Sequence, residues 1–393
     1  MVLFLHNRYR TSGGEERVVA DLMWLVREHL GEPAMLLARD SLGIGRLQAA
    51  AGLLNGGVLA DDVARAVRLS GARVVHAHNL QPSLGWRALA AARGAGARVV
   101  LHLHQYRLVC AIGVCFTRGA DCTRCHGRDT APGIRLNCRG SVPEALAYGA
   151  SLALWQRRVV AQADAIVVPS AFARERLREL GAALPWDRVH VLAPPLPALE
   201  EEENGGPVPA PAPALPREQD PAPAQGYALL VSRLAVEKGV DVAIDACRMI
   251  GMPLVIAGEG PEFQALRDRV RGSAVRFLGH VDDGELARLR AGAAIAVAPS
   301  RAAETFGMSV AEAMAAGVPV VASHVGAHPE LLEPDALVPP DNPRALAGAI
   351  ARLAGDRAAG QRGRERVREL CDPRALARSL AVIYGGGHPE SSA

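Results

Sequence analysis

The feature that most constrains this fold is the alternation of short apolar runs with amphipathic helical stretches. In the first half of the chain the apolar runs are Val2–Leu5, Val74–His76, Val99–His102 and Ala165–Pro169. Helices are predicted at Glu15–His29 and at Ala171–Leu180, with Ser170 as the cap of the second. Runs that are apolar throughout are typical of parallel strands covered on both faces. The pattern therefore predicts a doubly wound α/β domain.

The same pattern begins again in the second half, with apolar runs at Tyr227–Val231, Leu254–Ala257, Val275–Leu278, Ile295–Ala298 and Val318–Ala322. Residues 195–225 lack apolar periodicity and are rich in Pro, Ala and acidic residues, which predicts a semi-extended linker. A chain of 393 residues is also long enough for two cores. We predict an N-terminal domain at 1–194, a C-terminal domain at 226–373, and a final helix at 374–385 that packs back on the first domain.

Charge and hydropathy restrict the partners of this chain. The formal net charge is +3, and acidic and basic residues are interspersed, which argues against a nucleic-acid-binding protein. We find neither the pattern of a signal peptide nor an uncharged apolar stretch of about 18 residues, so we predict a cytoplasmic location. The segment Ala145–Arg158, which contains Trp155, is interpreted as a packed helix. Peripheral contact with the inner face of a membrane stays open, as does the oligomeric state.

The segment from Glu304 to Glu312 carries the most informative chemistry. It follows the run Ile295–Ala298, and ligands of open α/β sheets bind beyond the carboxyl ends of the strands. Gly307 allows a close backbone approach, and amides at the start of the next helix favour an anion. We expect Glu312 to lie about two turns into that helix, on the same face as Glu304. Two carboxylates beside a phosphate-binding turn suit a polyhydroxylated phosphate ester. By spacing alone, an exposed loop glutamate and a solvated helix glutamate remain an equal alternative.

Three other loops follow predicted strands and are candidates for the same ligand. Arg233 and Lys238, after Tyr227–Val231, have the side chains to neutralise a diphosphate. Gly258 and Glu259 form a tight turn where a nucleobase or ribose would lie, although a plain turn is the simpler interpretation. After the first strand, Gly13 and Gly14 offer backbone amides to a phosphate or an acceptor.

Cysteine and histidine side chains raise the question of a metal. Five of the seven cysteines fall between Cys110 and Cys138, and crowded thiols in a cytosolic protein indicate metal binding or burial rather than disulfides. A structural zinc site is predicted from the four residues Cys110, Cys122, Cys125 and Cys138, with buried free thiols as the alternative. Histidines also end two strands, at His76, His78, His102 and His104. We interpret them as packing or substrate contacts, and assign a function to His104 alone.

Taken together, these motifs resemble the retaining glycosyltransferase family 4. In the second half the resemblance rests on Ser232–Gly239, Gly258–Pro261, Phe277–Gly279, Glu304 and Glu312. In the first half Val74–Asn79 resembles the family's VVHAHN strand end, and His104–Cys110 resembles the HNYRLxC segment of one subgroup. Gln105 stands where that subgroup has Asn, and Cys115 is an additional cysteine. The resemblance covers nearly the whole chain except the linker.

The resemblance implies a GT-B fold of two Rossmann-like domains facing across a cleft that holds a nucleotide-diphosphate sugar, most simply a UDP- or GDP-sugar. The sugar would pass, with retention, to a hydroxyl of a glycan, a lipid-linked or a small natural-product acceptor. The implied roles are sugar contacts for Glu304 and His104, ribose binding for Glu312, and diphosphate binding for Arg233, Lys238 and the amides of Phe306, Gly307 and Met308. No catalytic metal is implied. A GT-B sugar-nucleotide epimerase and a non-enzymatic nucleotide-sugar-binding protein remain the alternatives.

Overall fold

The structure is a computed structural model that describes residues 1–9, 13–41, 43–203, 226–270 and 274–386. Its strands are β1 Val2–Arg8, β2 Ala34–Asp40, β3 Val74–Ala77, β4 Arg98–His102, β5 Phe116–Thr117, β6 Ala120–Asp121, β7 Ala165–Val168, β8 Val189–Val191, β9 Tyr227–Val231, β10 Leu254–Ala257, β11 Val275–Gly279, β12 Ala293–Ala298, β13 Val320–Ser323 and β14 Leu337–Val338. Its α-helices are α1 Gly14–Leu30, α2 Arg46–Asn55, α3 Ala60–Ser70, α4 Gly85–Gly94, α5 Ala131–Arg135, α6 Val142–Gln162, α7 Ala171–Glu179, α8 Ala198–Glu203, α9 Val240–Ile250, α10 Phe263–Arg269, α11 Asp283–Gly292, α12 Met308–Ala315, α13 His328–Leu331, α14 Pro343–Leu353, α15 Arg357–Cys371 and α16 Pro373–Gly385.

The chain divides into two compact units. The first contains Met1–Thr117, Cys122–Pro195 and the segment from Pro373 onward, which includes α16. The second contains Arg118–Asp121 and Leu196–Asp372.

A parallel sheet forms the centre of the first unit, with the strand order β2-β1-β3-β4-β7-β8. The strands β3 and β7 are buried along their whole length, which explains their uninterrupted apolar sequences. The order of the strands reverses between β1 and β3, so a crevice is expected beyond their carboxyl ends. Tyr9 follows the end of β1, and His78 follows the end of β3.

A second parallel sheet, in the order β11-β10-β9-β12-β13-β14, forms the centre of the second unit. Here the order reverses between β9 and β12. The segments that follow these two strands contain Lys238 and Glu304 respectively. Neighbouring parallel strands end at the same edge of a sheet, so this topology brings together two loops that are far apart in the sequence.

The central strands were predicted within three residues, and three edge strands were missed. These are β2, β8 and β14, which lie at edges of the two sheets. β2 is only half buried along most of its length, and β14 has only two residues, so neither has a continuous apolar run. The predicted cap of α7 is confirmed, because Ser170 Oγ accepts a hydrogen bond of 3.0 Å from the amide of Ala173.

The predicted linker is wrong in its first part. Residues 198–203 form helix α8 rather than an extended segment, and Leu196 and Leu199 are buried there. Burial of two leucines stabilises a short helix that the acidic sequence alone does not favour. The remainder of the predicted linker, residues 204–225, lies outside the described residues.

Helix α6 contains the segment Ala145–Arg158, for which the sequence left a packed helix and contact with a membrane as alternatives. Its Trp155 indole N–H donates to the carbonyls of Leu53 and Leu54, at 3.1 Å each. Its Gln156 amide donates to the carbonyls of Leu108 and Gly127, at 2.9 Å each. These side chains therefore attach α6 to the rest of the first unit. Over the described ranges, the structure contains no helix with the length and apolar character needed to span a bilayer.

Candidate active-site residues of the two units

A lysine–glutamate pair lies at the reversal point of the second sheet. Lys238 Nζ donates to Glu304 Oε1 at 2.6 Å, and the Ser300 hydroxyl donates to the same oxygen at 2.7 Å. Both charged side chains are partly buried. Lys238 precedes α9, and Glu304 lies in the loop between β12 and α12. The structure thus brings together two of the residues predicted from the sequence, and adds Ser300, which no motif indicated.

Glu304 is ionised over the whole pH range in which proteins are normally studied. Burial alone raises the pKa of this carboxyl, but the charge of Lys238 and the bonds from Lys238 and Ser300 outweigh it and lower the pKa to about 2. An ionised carboxylate only accepts hydrogen bonds. Glu304 is therefore suited to bind hydroxyl groups or to stabilise positive charge, and unsuited to act as a general acid.

The segment after β13 supports the backbone of Glu304. The amide of Ala327 donates to the Glu304 carbonyl at 2.9 Å. Beside it, His328 is buried, and its Nδ1 lies 2.8 Å from the Ser323 carbonyl oxygen. Burial lowers the pKa of His328, so its imidazole is neutral at neutral pH. Sequence analysis missed this support, because its residues lie more than twenty positions from Glu304 and form no recognisable motif.

Substituting Gly326 with alanine is expected to displace the Glu304 loop. Gly326 has φ +61°, and a methyl group there would overlap the backbone N and O atoms of Glu304. Gly317→Ala is a matched control, because Gly317 has φ +68° but open space around it. We expect the free energy of unfolding to fall by about 1–3 kcal/mol more in Gly326→Ala than in the control. Equal stability of the two variants in urea titrations would contradict the proposed support.

The start of α12 presents backbone amides close to this pair. Gly307 is the N-cap of the helix with φ 106°, a conformation that favours glycine, and Phe306 is buried. Glu312 is the fifth residue of α12, so it lies about one turn into the helix rather than the predicted two. Its carboxylate forms an ion pair with Arg290 of α11, and both side chains are largely buried. Sequence analysis did not identify Arg290.

The other predicted donor-side residues lie on two loops that contact each other. Gly258 needs its left-handed backbone, because a methyl group there would overlap the carbonyl oxygen of Ser232. The carbonyl of Glu259 accepts a hydrogen bond of 2.8 Å from the Leu234 amide. Arg233, on the same loop as Ser232, forms an ion pair with Glu237 and is about half exposed. Its guanidinium is therefore close to solvent and able to change partner.

In the first unit, four histidines form two layers of imidazole rings. His78 Nδ1 and His104 Nε2 are 2.7 Å apart in rings that lie within 16° of one plane, so these rings meet edge to edge. His76 Nε2 and His102 Nδ1 are 3.3 Å apart in a similar pair. The two pairs stack on each other, with centroids 4.0 Å apart for His102 and His104 and 4.6 Å apart for His76 and His78. Tyr384 of α16 lies 2.8 Å from His76 Nδ1.

All four imidazoles are neutral at neutral pH. Burial lowers the pKa of His76 and of His104 to about 3, and lowers the pKa values of His78 and His102 well below the ordinary value. Candidate ligand atoms of His76, His78 and His102 all lie within 4.8 Å of one another. Each of His76, His78 and His102 has a ring nitrogen in a hydrogen bond of this cluster, and we interpret the cluster as a hydrogen-bonded network.

The loop after β1 brings two acidic residues beside the histidine layers. Glu16 Oε2 accepts a hydrogen bond of 3.0 Å from the Gly13 amide, and Gly14 begins α1. The predicted anion-binding amide of Gly13 therefore holds a carboxylate of its own helix. Glu15 Oε2 accepts a bond of 2.7 Å from the Tyr9 hydroxyl, and burial raises the pKa of Glu15. Gln105, the departure from the family motif, lies 3.3 Å from both Tyr9 and Glu15.

A cavity of about 100 Å³ opens beside His104 within the first unit. Its wall is mostly apolar and includes a few polar side chains. The lining includes Glu15, His78, His104, Gln105, Leu53, Leu152, Trp86 and Trp155. The indole rings of Trp86 and Trp155 are 6.0 Å apart, and the Arg158 guanidinium lies 5.0 Å from each ring centroid. Such a cavity suits a ligand with an apolar part and a polar group directed at the imidazoles.

Family models of glycosyltransferases match both units. Residues 5–195 match the model described as glycosyl transferase 4-like domain, and residues 225–356 match the model described as glycosyl transferases group 1. Together the two matches cover most of the chain. The chain therefore contains a glycosyl transferase 4-like domain followed by a glycosyl transferases group 1 domain.

Two curated relatives illustrate the similarity in sequence. The GDP-mannose-dependent alpha-(1-6)-phosphatidylinositol dimannoside mannosyltransferase of Mycobacterium tuberculosis is 31% identical over 235 residues, which are 58% of this chain and 59% of that protein. Glycogen synthase of the same species is 37% identical over 172 residues, 40% of this chain and 41% of that protein. The matched region thus spans less than two thirds of either relative.

Two solved structures illustrate the similarity in fold. Sucrose-phosphate synthase from Thermosynechococcus elongatus has a TM-score of 0.67 and 18% identity, covering 98% of both chains. Anabaena HepE in complex with UDP and glucose has a TM-score of 0.62 and 17% identity, covering 98% of this chain and 99% of that one. At these identities the likeness concerns the fold alone, and it confirms the predicted GT-B class with two parallel-sheet α/β domains.

Proposed function

We propose that this protein transfers a sugar from a nucleoside diphosphate sugar to a hydroxyl group of an acceptor, with retention at the anomeric carbon. The observation that carries the proposal is the Lys238–Glu304 pair at the reversal point of the second sheet, next to the start of α12. A cation for the leaving diphosphate and an anion for the sugar are the two charges that this reaction requires. The pair holds both charges ready before the donor binds.

The leaving diphosphate would be stabilised by charges fixed in the second unit. Arg233 and Lys238 supply two cations, and the amides of Phe306, Gly307 and Met308 lie at the positive end of α12. Lys238 would exchange Glu304 for the diphosphate as the donor binds, and Arg233 would exchange Glu237. These groups take the part that a divalent metal plays in other transferases, so the proposed reaction is independent of a catalytic metal.

Glu304 would act on the sugar without a change in its protonation state. Its pKa of about 2 keeps it anionic, so it accepts hydrogen bonds from sugar hydroxyls and stabilises the positive charge that develops at the anomeric carbon. A phosphate oxygen of the leaving group would accept the proton of the acceptor hydroxyl. We assign Glu312 to the ribose, which would compete with Arg290 for its carboxylate.

Acceptor binding is assigned to the first unit. The neutral imidazole of His104 has the capacity to donate or accept a hydrogen bond, and Gly13 and Gly14 contribute the backbone at the start of α1. The apolar cavity beside His104 favours an acceptor with an apolar part, so a lipid-linked or natural-product acceptor fits it better than an unmodified glycan. GDP and UDP remain the two candidate donor nucleotides, the first named for a curated relative and the second for a structural neighbour.

A thermal-shift screen against UDP, GDP, ADP and TDP is expected to show selective stabilisation by one diphosphate. At a ligand concentration about 100 times its Kd, the bound state gains about 2.7 kcal/mol, which raises the Tm by several degrees. Arg233→Ala is expected to remove most of this shift. Arg288→Ala is the matched control, because Arg288 is similarly exposed and similarly paired, with Glu285. No shift with any diphosphate at millimolar concentration would favour a non-enzymatic protein instead.

A further inference from the structure

Five cysteine residues line one small cavity of the first unit. The cavity has a volume of about 10 Å³, the room that a single water-sized sphere needs. We call it the cysteine cavity, and its thiols are those of Cys110, Cys115, Cys122, Cys125 and Cys138. The proposed transfer reaction uses none of them.

Backbone contacts hold this segment around the sulfur atoms. The Cys122 amide donates to the Cys115 carbonyl at 2.8 Å, and the Cys138 amide donates to the Gly133 carbonyl at 3.1 Å. Cys115 has φ +50°, which a side-chain-bearing residue rarely adopts. A methyl group at Gly133 would overlap Ala111 Cβ at 2.7 Å and meet Cys125 Sγ at 3.3 Å, so the glycine permits close packing beside this sulfur. The local fold is therefore adapted to place these thiols together.

Hydrogen-bond donors surround two of the sulfurs. Cys110 Sγ accepts the thiol hydrogen of Cys115 and the backbone amides of Ile112, Gly113 and Cys115. Cys125 Sγ accepts the amides of Ala111 and Gly133. Backbone N–H groups directed at sulfur are the outer contacts that orient the ligand atoms of a metal site. This arrangement differs from that of a thiol buried merely for packing.

We propose that Cys110, Cys122, Cys125 and Cys138 bind one structural zinc ion in the cysteine cavity. Four thiolates complete the tetrahedral shell of a structural zinc, and Cys122 and Cys125 have the spacing of a zinc knuckle. Cys115 is assigned to the surrounding shell, because its thiol already donates to Cys110. In a tetrahedral site with Zn–S bonds of about 2.3 Å the sulfurs are about 3.8 Å apart.

The sulfurs would move inward when zinc binds. Among the described residues, only the histidine cluster has three candidate metal-ligand atoms within 4.8 Å of one another. The cysteine sulfurs are therefore farther apart than in a closed zinc site. Metal binding of this kind is coupled to local folding. The regular structure of the segment is limited to the short β5, β6 and α5, so a zinc ion would supply much of its cohesion.

Zinc in the cysteine cavity would also fix the loop that carries His104. The Cys110 amide donates to the Tyr106 carbonyl at 2.8 Å, and the Tyr106 amide donates to the Gly113 carbonyl at 2.9 Å. Only one residue, Gln105, separates His104 from Tyr106 in the chain. The metal would therefore act on the acceptor side as a structural clamp, without contact with the reacting atoms.

The test is the zinc content of the purified full chain by inductively coupled plasma mass spectrometry. We expect one zinc per chain in the wild type and a loss of at least about tenfold in the double variant Cys122→Ser, Cys125→Ser. Cys247→Ala and Cys371→Ala are the controls, since both cysteines are buried in the second unit, and they are expected to keep the full content. Absence of zinc from the wild type, or equal zinc in the double variant, would overturn the proposal.

A second measurement covers the case in which the double variant does not fold. Wild-type protein is stripped with a chelator and titrated with Co²⁺, and the absorption from thiolate-to-cobalt charge transfer is recorded. The intensity expected for four thiolates is retained in Cys115→Ala and reduced in Cys138→Ala. The reverse pattern would overturn the assigned ligands. A disulfide between any two of the five cysteines in freshly purified protein would overturn the zinc site itself.

Discussion

Glu304→Gln is expected to lower the kcat of sugar transfer by about 100-fold or more, while the Kd for the nucleoside diphosphate rises by less than about threefold. Glutamine keeps the shape of the side chain and its hydrogen bonds with Lys238 and Ser300, but it loses the negative charge. That charge interacts more strongly with the developing positive charge of the transition state than with the neutral sugar of the ground state. The loss therefore falls on kcat rather than on binding.

Two comparisons make this prediction specific. Glu333→Gln, at an exposed position of the same unit, is expected to leave both constants unchanged. Glu304→Ala is expected to abolish transfer as well, but it also removes the 2.6 Å partner of Lys238, so it is the less precise variant. Unchanged turnover of either Glu304 variant would exclude its assigned role, even if nucleotide binding were normal.

The second large effect concerns the stability of the first unit in acid. The pKa values of His76 and His104 are lowered to about 3, and those of His78 and His102 are lowered well below 6.5. Below pH 6.5 the unfolded chain therefore binds protons at four positions where the folded chain does not. The free energy of unfolding therefore keeps its full value, as far as these histidines are concerned, above pH 6.5. As the pH falls from there toward about 3, it decreases by about 1.4 kcal/mol per pH unit for each histidine.

Glu15 has the opposite effect on the pH dependence of the free energy of unfolding. Burial raises the pKa of this carboxyl, so the folded state binds its proton at a higher pH than the unfolded state does. With four histidines against one glutamate, the net slope is at most about 4 kcal/mol per pH unit. We expect the Tm of the first unit to fall by about 10 °C or more between pH 7 and pH 5.

Tryptophan fluorescence measures this unit alone, because Trp24, Trp86, Trp155 and Trp186 all belong to it. His324→Gln, at an exposed position of the second unit, is the control and is expected to follow the wild-type pH profile. A Tm that stays constant between pH 7 and pH 5 would show that the imidazoles are not held neutral in the folded state.

Much of the fold follows from local sequence. The central strands are largely apolar because both faces are covered, and this signal located them within three residues. The edge strands β2, β8 and β14 lack that signal, because an edge strand has a partner on one side only and is shorter or half exposed. Helix α8 escaped prediction for a related reason, since two buried leucines stabilise it within an otherwise acidic sequence.

What the sequence determined by itself is the set of central strands, the loops that follow them, and the chemistry of Arg233, Lys238, Glu304 and Glu312. Only the tertiary structure decided which of these groups meet. Lys238 contacts Glu304 because β9 and β12 are neighbours in the sheet, and the order of parallel strands depends on how crossover helices pack, which no local pattern encodes. The same holds for the pairing of Arg290 with Glu312, the two layers of histidines and the five thiols of the cysteine cavity. Each joins segments whose proximity results from packing rather than from spacing along the chain.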